Sequence, residues 1–292
     1  MSGTTRAATV AAIISEAAER LRAASVADAR LEAELLLAHA AGTDRAHLVA
    51  RLKDPLEAAT IGAFRRTLAR RLAHEPLAYI TGHREFYGID ILCGPAALVP
   101  RPESELLVDL ALAEVRARGA ALRIADVGTG SGAIACAVAA HAPGARVCAV
   151  DVSSAALALA RRNVEALGLG GRVDVGQGDL LGGLGALDLV VANLPYVSAS
   201  EWRGLQPEVR DFEPRGALVA GPAGSEVNAR LIAQAPAHLA PGGLLALEIG
   251  DTHAAVLSGI ARGHFPGASV SVIKDLGGHD RVLLVRQERE AG

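Results

Sequence analysis

Two short stretches hold residue types on which a reaction could be built. The first is Asp126-Val127-Gly128-Thr129-Gly130-Ser131-Gly132, at the end of an apolar run. Glycines there allow a sharp turn and let a ligand approach the backbone without meeting a Cβ. Asp151 closes the next apolar run, where a carboxylate can accept hydrogen bonds from both ribose hydroxyls of a nucleoside. The pair predicts a nucleoside-containing cofactor. Gly128, Gly130 and Ala133 also satisfy the loose G-x-G-x-x-A pattern of a dinucleotide site, so a redox cofactor and S-adenosylmethionine both fit these residues.

The second stretch, Asn193-Leu194-Pro195-Tyr196, favours S-adenosylmethionine. Methylating a planar, weakly nucleophilic NH2 group requires its lone pair to face a methyl sulfonium in line with the breaking bond, at about 3–3.5 Å. An asparagine oxygen and a neighbouring backbone carbonyl can accept the two N–H bonds and fix that orientation. They also stabilise the positive charge that grows on nitrogen. A tyrosine ring can stack on the flat amide or base. Asn193, the carbonyl of Leu194 and Tyr196 fit these roles, and Pro195 stiffens the loop. No Ser-His-Asp or Cys-His arrangement is apparent and the histidines are scattered singly. A direct methyl transfer is therefore expected, with no covalent enzyme intermediate and no metal.

Strand ends must hold these residues. From about residue 120 onward, apolar β-like runs alternate with helical stretches. Arg123–Val127 precedes a helix from about Ser131, and Arg146–Val150 precedes one from about Ser153. Further runs are Val173–Val175, Leu187–Ala192, Leu244–Ile249, Val270–Ile273 and Arg281–Val285. The alternation predicts an α/β fold: a mostly parallel sheet with helices on both faces, binding ligands beyond the carboxyl ends of its strands.

Ahead of this sheet, residues 1–75 read as a small helical bundle. Ser25 with Asp28 forms a capping-box pattern that opens a helix closed by Gly42. Asp54-Pro55-Leu56-Glu57 predicts a further helix start. In that helix Ile61, Phe64, Leu68 and Leu72 recur at helical spacing, while Arg65, Arg66, Arg70 and Arg71 fall largely on other, solvated faces until Pro76 ends it. Residues 76–100 place Tyr79, Phe86 and Tyr87 among Gly82, Gly88, Gly94 and Pro95, as in a hairpin or linker. The expected division is 1–75, 76–100 and 101–292.

Of the 292 residues, 51% are apolar and 21% charged, which excludes a disordered chain. The net charge of −3 provides no overall basic field for nucleic acid. Cys93, Cys136 and Cys148 form no CxxC pair, which points to a reducing compartment rather than a disulfide framework or zinc site. Arg6 and the apolar run Ala7 to Ile14 imitate a signal peptide only faintly, because Thr9 interrupts the run and Glu16 and Glu19 follow it. No stretch reaches the ~18 uninterrupted apolar residues of a membrane span. A cytoplasmic protein is expected, with neither a membrane nor a direct nucleic-acid partner.

Several longer motifs accompany the two loops: Tyr79-Ile80-Thr81-Gly82, Arg84-Glu85-Phe86-Tyr87-Gly88, and Leu98-Val99-Pro100-Arg101-Pro102-Glu103-Ser104-Glu105. Phe212-Glu213-Pro214 with Ala217-Leu218, Pro241-Gly242-Gly243 and Glu248-Ile249-Gly250 follow. With these the chain, from about residue 20, resembles the class I methyltransferases, and within them the HemK family that methylates a glutamine side-chain amide in peptide chain release factors. The resemblance implies a Rossmann-like sheet, S-adenosyl-L-methionine as cofactor, and methylation at N5 of the glutamine in the Gly-Gly-Gln loop of class 1 release factors. It also implies an effect on translation termination, with the helical segment recognising the protein substrate. Gly128, Thr129, Gly130, Ser131 and Gly132 would bind the methionine part of the cofactor and Asp151 its ribose. Asp179 would accept from the adenine amino group, with Leu180 against the ring. Asn193, beside the cofactor, would grip the substrate glutamine together with Leu194, Pro195 and Tyr196. Pro100-Arg101-Pro102 would form part of the wall, unless Arg101 pairs with Glu103 or Glu105.

Two positions depart from the family pattern. Leu194 stands where the family has the first proline of Asn-Pro-Pro-Tyr, although a backbone carbonyl remains for the role assigned there. Asn-Leu-Pro-Tyr is also similar to the loop of rRNA adenine dimethyltransferases, so N6-adenine methylation of rRNA or DNA is the alternative. The net charge and the sequence around Arg101 argue against it. A ribosomal-protein glutamine is another substrate compatible with the same chemistry, and a non-catalytic nucleoside-sensing scaffold is the reading from a different class. The second departure is His253, where many relatives have glutamine.

Overall fold

A computed structural model describes residues 9–118 and 122–288. The chain forms two compact units, one running to Gly82 and including Pro207–Phe212, the other comprising His83–Gln206 and the residues from Glu213 onward.

The first unit is helical. Its helices are α1 (Val10–Ala23), α2 (Ala29–Ala41), α3 (Arg45–Ala50), α4 (Ala58–Leu72) and α5 (Leu77–Thr81). Arg6 to Ala8 of the signal-like run lie outside the described residues. The rest of that run begins α1, where Thr9 caps the Ala12 N–H and Val10, Ile13, Ile14, Ala17, Ala18 and Leu21 are buried. The apolar positions thus form one stripe of an amphipathic helix.

Two helix starts differ from the expectation. Ser25 adopts φ +62°, so α2 begins after Asp28, whose side chain caps nothing; Gly42 closes it in the left-handed region as expected. Asp54-Pro55 does not open α4. Pro55 bridges Thr9, and the Asp54 and Leu52 carbonyls accept from Val10 and Ala11 at 3.0 and 2.9 Å. These tertiary bonds draw the segment into extended pairing, and α4 starts three residues later than Pro55, at Ala58.

Within α4, Phe64 and Leu68 are buried and Ile61 and Leu72 pack against the same core. Arg71 departs from the solvated face predicted for it. It is 4% exposed, bonds both Glu32 oxygens, and reaches Glu208 at 2.7 Å.

The second unit opens with a hairpin, β1 (His83–Phe86) against β2 (Ile89–Leu92). Tyr87 and Gly88 both have positive φ, as a two-residue turn between right-twisted strands requires. The remaining elements are α6 (Glu105–Arg118), β3 (Arg123–Val127), α7 (Ala133–His141), β4 (Arg146–Asp151), α8 (Ser154–Ala166), β5 (Val173–Gln177), β6 (Leu187–Ala192) and β7 (Val197–Ser198). Beyond α9 (Pro207–Arg210), which belongs to the helical unit, come β8 (Val219–Gly221), α10 (Glu226–Gln234), β9 (Leu239–Glu248), α11 (Ala254–His264), β10 (Ser269–Lys274) and β11 (Asp280–Arg286).

Among the described residues, seven strands form the main sheet in the order β10-β11-β9-β6-β3-β4-β5. The pairs among β9, β6, β3, β4 and β5 are parallel, and β11 pairs antiparallel with both β9 and β10. Successive strand residues face opposite ways. Leu189 and Val191 of β6 join the core under α6 and α7, whereas Val190 and Ala192 join the core with Leu231 of α10 and Leu257 of α11. Burial on both faces explains why β6 is apolar at every position but Asp188, whose carboxylate pairs with Arg118 and Arg123. Strand order reverses between β6, β3 and β4, which makes the carboxyl ends of these strands the switch point where a ligand can enter.

Candidate active site

A cavity of about 370 Å³ lies at this switch point. Gly128, Thr129, Gly130 and Ser131 line it from the β3–α7 turn, Asp151 from the end of β4, and Asp179 and Leu180 from beyond β5. Asn193, Leu194 and Pro195 line it from the loop after β6, with Pro100, Arg101 and Ser104 ahead of α6. Gly132 and Tyr196 belong to the same two loops but not to the lining.

The glycine turn is built for close approach. Gly128, Gly130 and Gly132 have φ of +73°, +56° and +82°. Below the turn Asp126 is fully buried, and its Oδ2 accepts from Thr129 Oγ1 at 2.7 Å and the Ala135 N–H at 3.1 Å. Burial, with the Asp151 charge adding to it, pushes the Asp126 carboxyl up to about 6. At Gly128 a Cβ would stand 2.6 Å from Leu194 Cδ2. The leucine in the family's proline position is 4% exposed and packs into the core beneath β6, so packing fixes the loop that a proline ring would otherwise stiffen.

Gly132 serves a different purpose. A Cβ there would lie 3.2 Å from the Ala160 Cβ and 3.3 Å from its Cα, so this glycine lets the turn lie against α8. Gly132→Ala combines a left-handed φ with that crowding and is expected to cost about 2 kcal/mol of stability. Urea denaturation without ligand checks this; an unchanged midpoint would contradict the packing role.

Asp151 accepts from the Gly130 N–H at 3.0 Å and the Ser153 N–H at 2.8 Å, one on each oxygen. Each oxygen keeps a further acceptor position, which suits a pair of hydroxyls. Asp179 is exposed at the cavity rim and pairs with Arg230 of α10, so a ligand amino group must share that carboxylate with a cation. Arg101 pairs with neither Glu103 nor Glu105. Its partner is Glu213, a buried carboxylate that also accepts from the Val99 N–H at 3.2 Å.

Asn193 donates through Nδ2 to Ser104 Oγ at 2.8 Å, and Ser104 Oγ in turn donates to Glu248 Oε2 at 2.7 Å. The Tyr196 hydroxyl reaches Glu248 Oε1 at 3.4 Å. Burial and the neighbouring Glu248 charge push that phenol up to about 12, so it stays neutral. His253 is buried against Gly224 and Gly250, and its Nδ1 has no partner among the described residues. Sequence reasoning assigned no role to Ser104, Glu213, Arg230 or Glu248. Ser104 lies 89 residues from Asn193 and 144 from Glu248, a separation that no local spacing rule spans.

The site therefore combines a glycine cradle, a carboxylate with spare acceptor capacity, and an asparagine held by its NH2. Comparison with known proteins fits this arrangement. Residues 12–82 match a family model described as the PrmC N-terminal domain, and residues 103–205 match one described as the methyltransferase small domain. A release factor glutamine methyltransferase from Moorella thermoacetica is 42% identical over 95% of this chain and 98% of its own. Another from Bordetella pertussis is 46% identical over 76% of this chain and 82% of its own. A solved methyltransferase from Pyrococcus furiosus shares the fold, with 22% identity, a TM-score of 0.51, and coverage of 76% of this chain and 98% of that one. Geometry and near full-length similarity converge, and this chain belongs to the release factor glutamine methyltransferase family.

Proposed function

We propose that this protein transfers a methyl group from S-adenosyl-L-methionine to N5 of the glutamine in the Gly-Gly-Gln loop of class 1 release factors, tuning translation termination in the cytoplasm. The observation that carries this is the similarity to release factor glutamine methyltransferases along almost the whole chain, including the helical unit. When bound, S-adenosylmethionine supplies an electrophilic methyl on its sulfonium sulfur. Gly128 to Gly132 would meet its methionine part, with Gly128 and Gly130 presenting backbone without a Cβ, and Asp151 would accept from its ribose hydroxyls. Asp179 and Leu180 hold the adenine. Asn193 Oδ1 and the Leu194 carbonyl accept the two N–H bonds of the substrate amide and aim its lone pair, while Pro195 and the Tyr196 ring flank it. Arg101, fixed by Glu213, forms the wall on the substrate side. The proton left on nitrogen after transfer passes to water. The helical unit recognises the release factor.

The direct test mixes the purified protein with S-adenosylmethionine and an unmethylated release factor, and maps the product by mass. One methyl on the glutamine of the Gly-Gly-Gln loop is expected. A methyl on adenine in an RNA or DNA control, with the release factor unmodified, would overturn the reading.

A further inference from the structure

The hydrogen-bond chain running inward from Asn193 ends on a group that can only accept. Asn193 Nδ2 donates to Ser104 Oγ, Ser104 donates to Glu248 Oε2, and Tyr196 donates to Glu248 Oε1. Every donor points towards Glu248, a residue only 1% exposed. An ionised carboxylate has no proton to give, and a serine hydroxyl has one. Once Ser104 commits that proton to Glu248, it can meet Asn193 only as an acceptor. The Asn193 amide must then turn its NH2 to Ser104. Its Oδ1, which bonds to none of the described residues, is left for the cavity that Asn193 lines.

We propose that Glu248, acting through Ser104, is a positioning residue that sets which way round the Asn193 amide stands, so that an acceptor meets the N–H bonds of the substrate glutamine. The inference rests on the reading of Asn193 as the group that holds the reacting amide. A neutral group at 248 permits the opposite polarity. It donates to Ser104, Ser104 donates to Asn193 Oδ1, and the Asn193 NH2 turns to the cavity, where it opposes the N–H bonds of the substrate. A buried charge is an expensive way to fill space, and an apolar or neutral isostere usually does it as well. Here burial pushes the Glu248 carboxyl up to about 6, Glu103 adds to the rise, and Arg281, Ser104 and Tyr196 oppose it. Asn228 of α10 reaches only the Glu248 backbone carbonyl, at 3.4 Å. The polarity of the chain is what the charge provides and a neutral isostere does not.

A double-mutant cycle on the full chain, with a release factor as substrate, separates this from a packing role. Glu248→Gln is expected to lower kcat about 30-fold, the scale of one misdirected buried hydrogen bond, with KM for cofactor and release factor within about threefold. Its thermal stability should hold or rise. The gain is largest above pH 6, where the wild-type carboxyl is charged in the fold, and vanishes below about 4.5, where it is protonated in both folded and unfolded chains. Ser104→Ala should lower kcat about tenfold, by freeing the Asn193 amide to rotate. In that background Glu248→Gln should add nothing, because the link is already cut. Wild-type kcat should fall as pH drops through about 6, and Glu248→Gln should lack that limb.

A second readout needs no turnover. In 15N spectra of the protein alone, the Asn193 side-chain NH2 signals, identified by their loss in Asn193→Ala, should shift with pH in the wild type and stay fixed in Glu248→Gln. A kcat for Glu248→Gln within threefold of wild type, or effects of the two substitutions that multiply, would overturn the proposal. A wild-type protein that leaves the release factor unmodified would instead refute the functional reading, and the NMR titration would then decide the amide orientation by itself.

Discussion

Asn193→Ala should lower the rate of methyl transfer to the release-factor glutamine about 300-fold, in the range seen when one preorganised polar group is removed from a transition state. The reasoning starts from the nucleophile. An amide nitrogen shares its lone pair with the carbonyl, and it reacts only when its N–H bonds are held so that the lone pair faces the methyl group. Asn193 Oδ1 is the side-chain acceptor available for this at the cavity, its NH2 being occupied by Ser104. Alanine leaves the Leu194 carbonyl as a single acceptor, and the substrate amide can rotate about that one bond. Cofactor affinity should survive, because the glycine turn and Asp151 are untouched. Calorimetry with S-adenosylhomocysteine, alongside single-turnover rates at saturating cofactor, checks both halves. Near-normal turnover would remove Asn193 from the reaction.

The second large effect is expected at Asp151, and it should fall on binding rather than on chemistry. Asp151→Ala removes the acceptor proposed for two ribose hydroxyls and also releases the Gly130 and Ser153 N–H groups that the carboxylate now ties together. Two charge-assisted hydrogen bonds at about 1.5 kcal/mol each give roughly a hundredfold loss of affinity. The dissociation constant of S-adenosylhomocysteine should rise by about that factor, while kcat at saturating cofactor stays within severalfold. A lost kcat with unchanged affinity would show that Asp151 acts on the reaction and not on the nucleoside.

What could be read from the chain beforehand followed a physical divide. β3 and β6 were legible to the residue, as Arg123–Val127 and Leu187–Ala192, because strands buried on both faces are mostly apolar, broken here only by Arg123, Asp126 and Asp188, and nothing nearby competes. The loops after them were legible because their working groups are neighbours in sequence. Helix starts in the first unit were not. The Asp54-Pro55-Leu56-Glu57 signal is local, and it lost to backbone bonds from Val10 and Ala11, more than forty residues away. Arg71 was assigned to solvent on helical spacing alone, while its burial depends on carboxylates from two other helices. The same limit hid the partner of Arg101 and the whole link from Asn193 to Glu248. Residue types pointed to the loops that line the cavity, and the scaffolding behind them came from pairings that only the folded chain displays.

Pro207–Phe212 has a consequence for any attempt to take this protein apart. The helical unit is not a contiguous stretch of gene: six of its residues are encoded within the span that builds the sheet unit, with Glu208 among them. A cut after Gly82, or an exchange of residues 9–82 with those of a relative, would carry Arg71 away from one of its two carboxylates and leave α9 behind without its helices. Transplanting the helical unit between relatives therefore requires moving two separate pieces of sequence together.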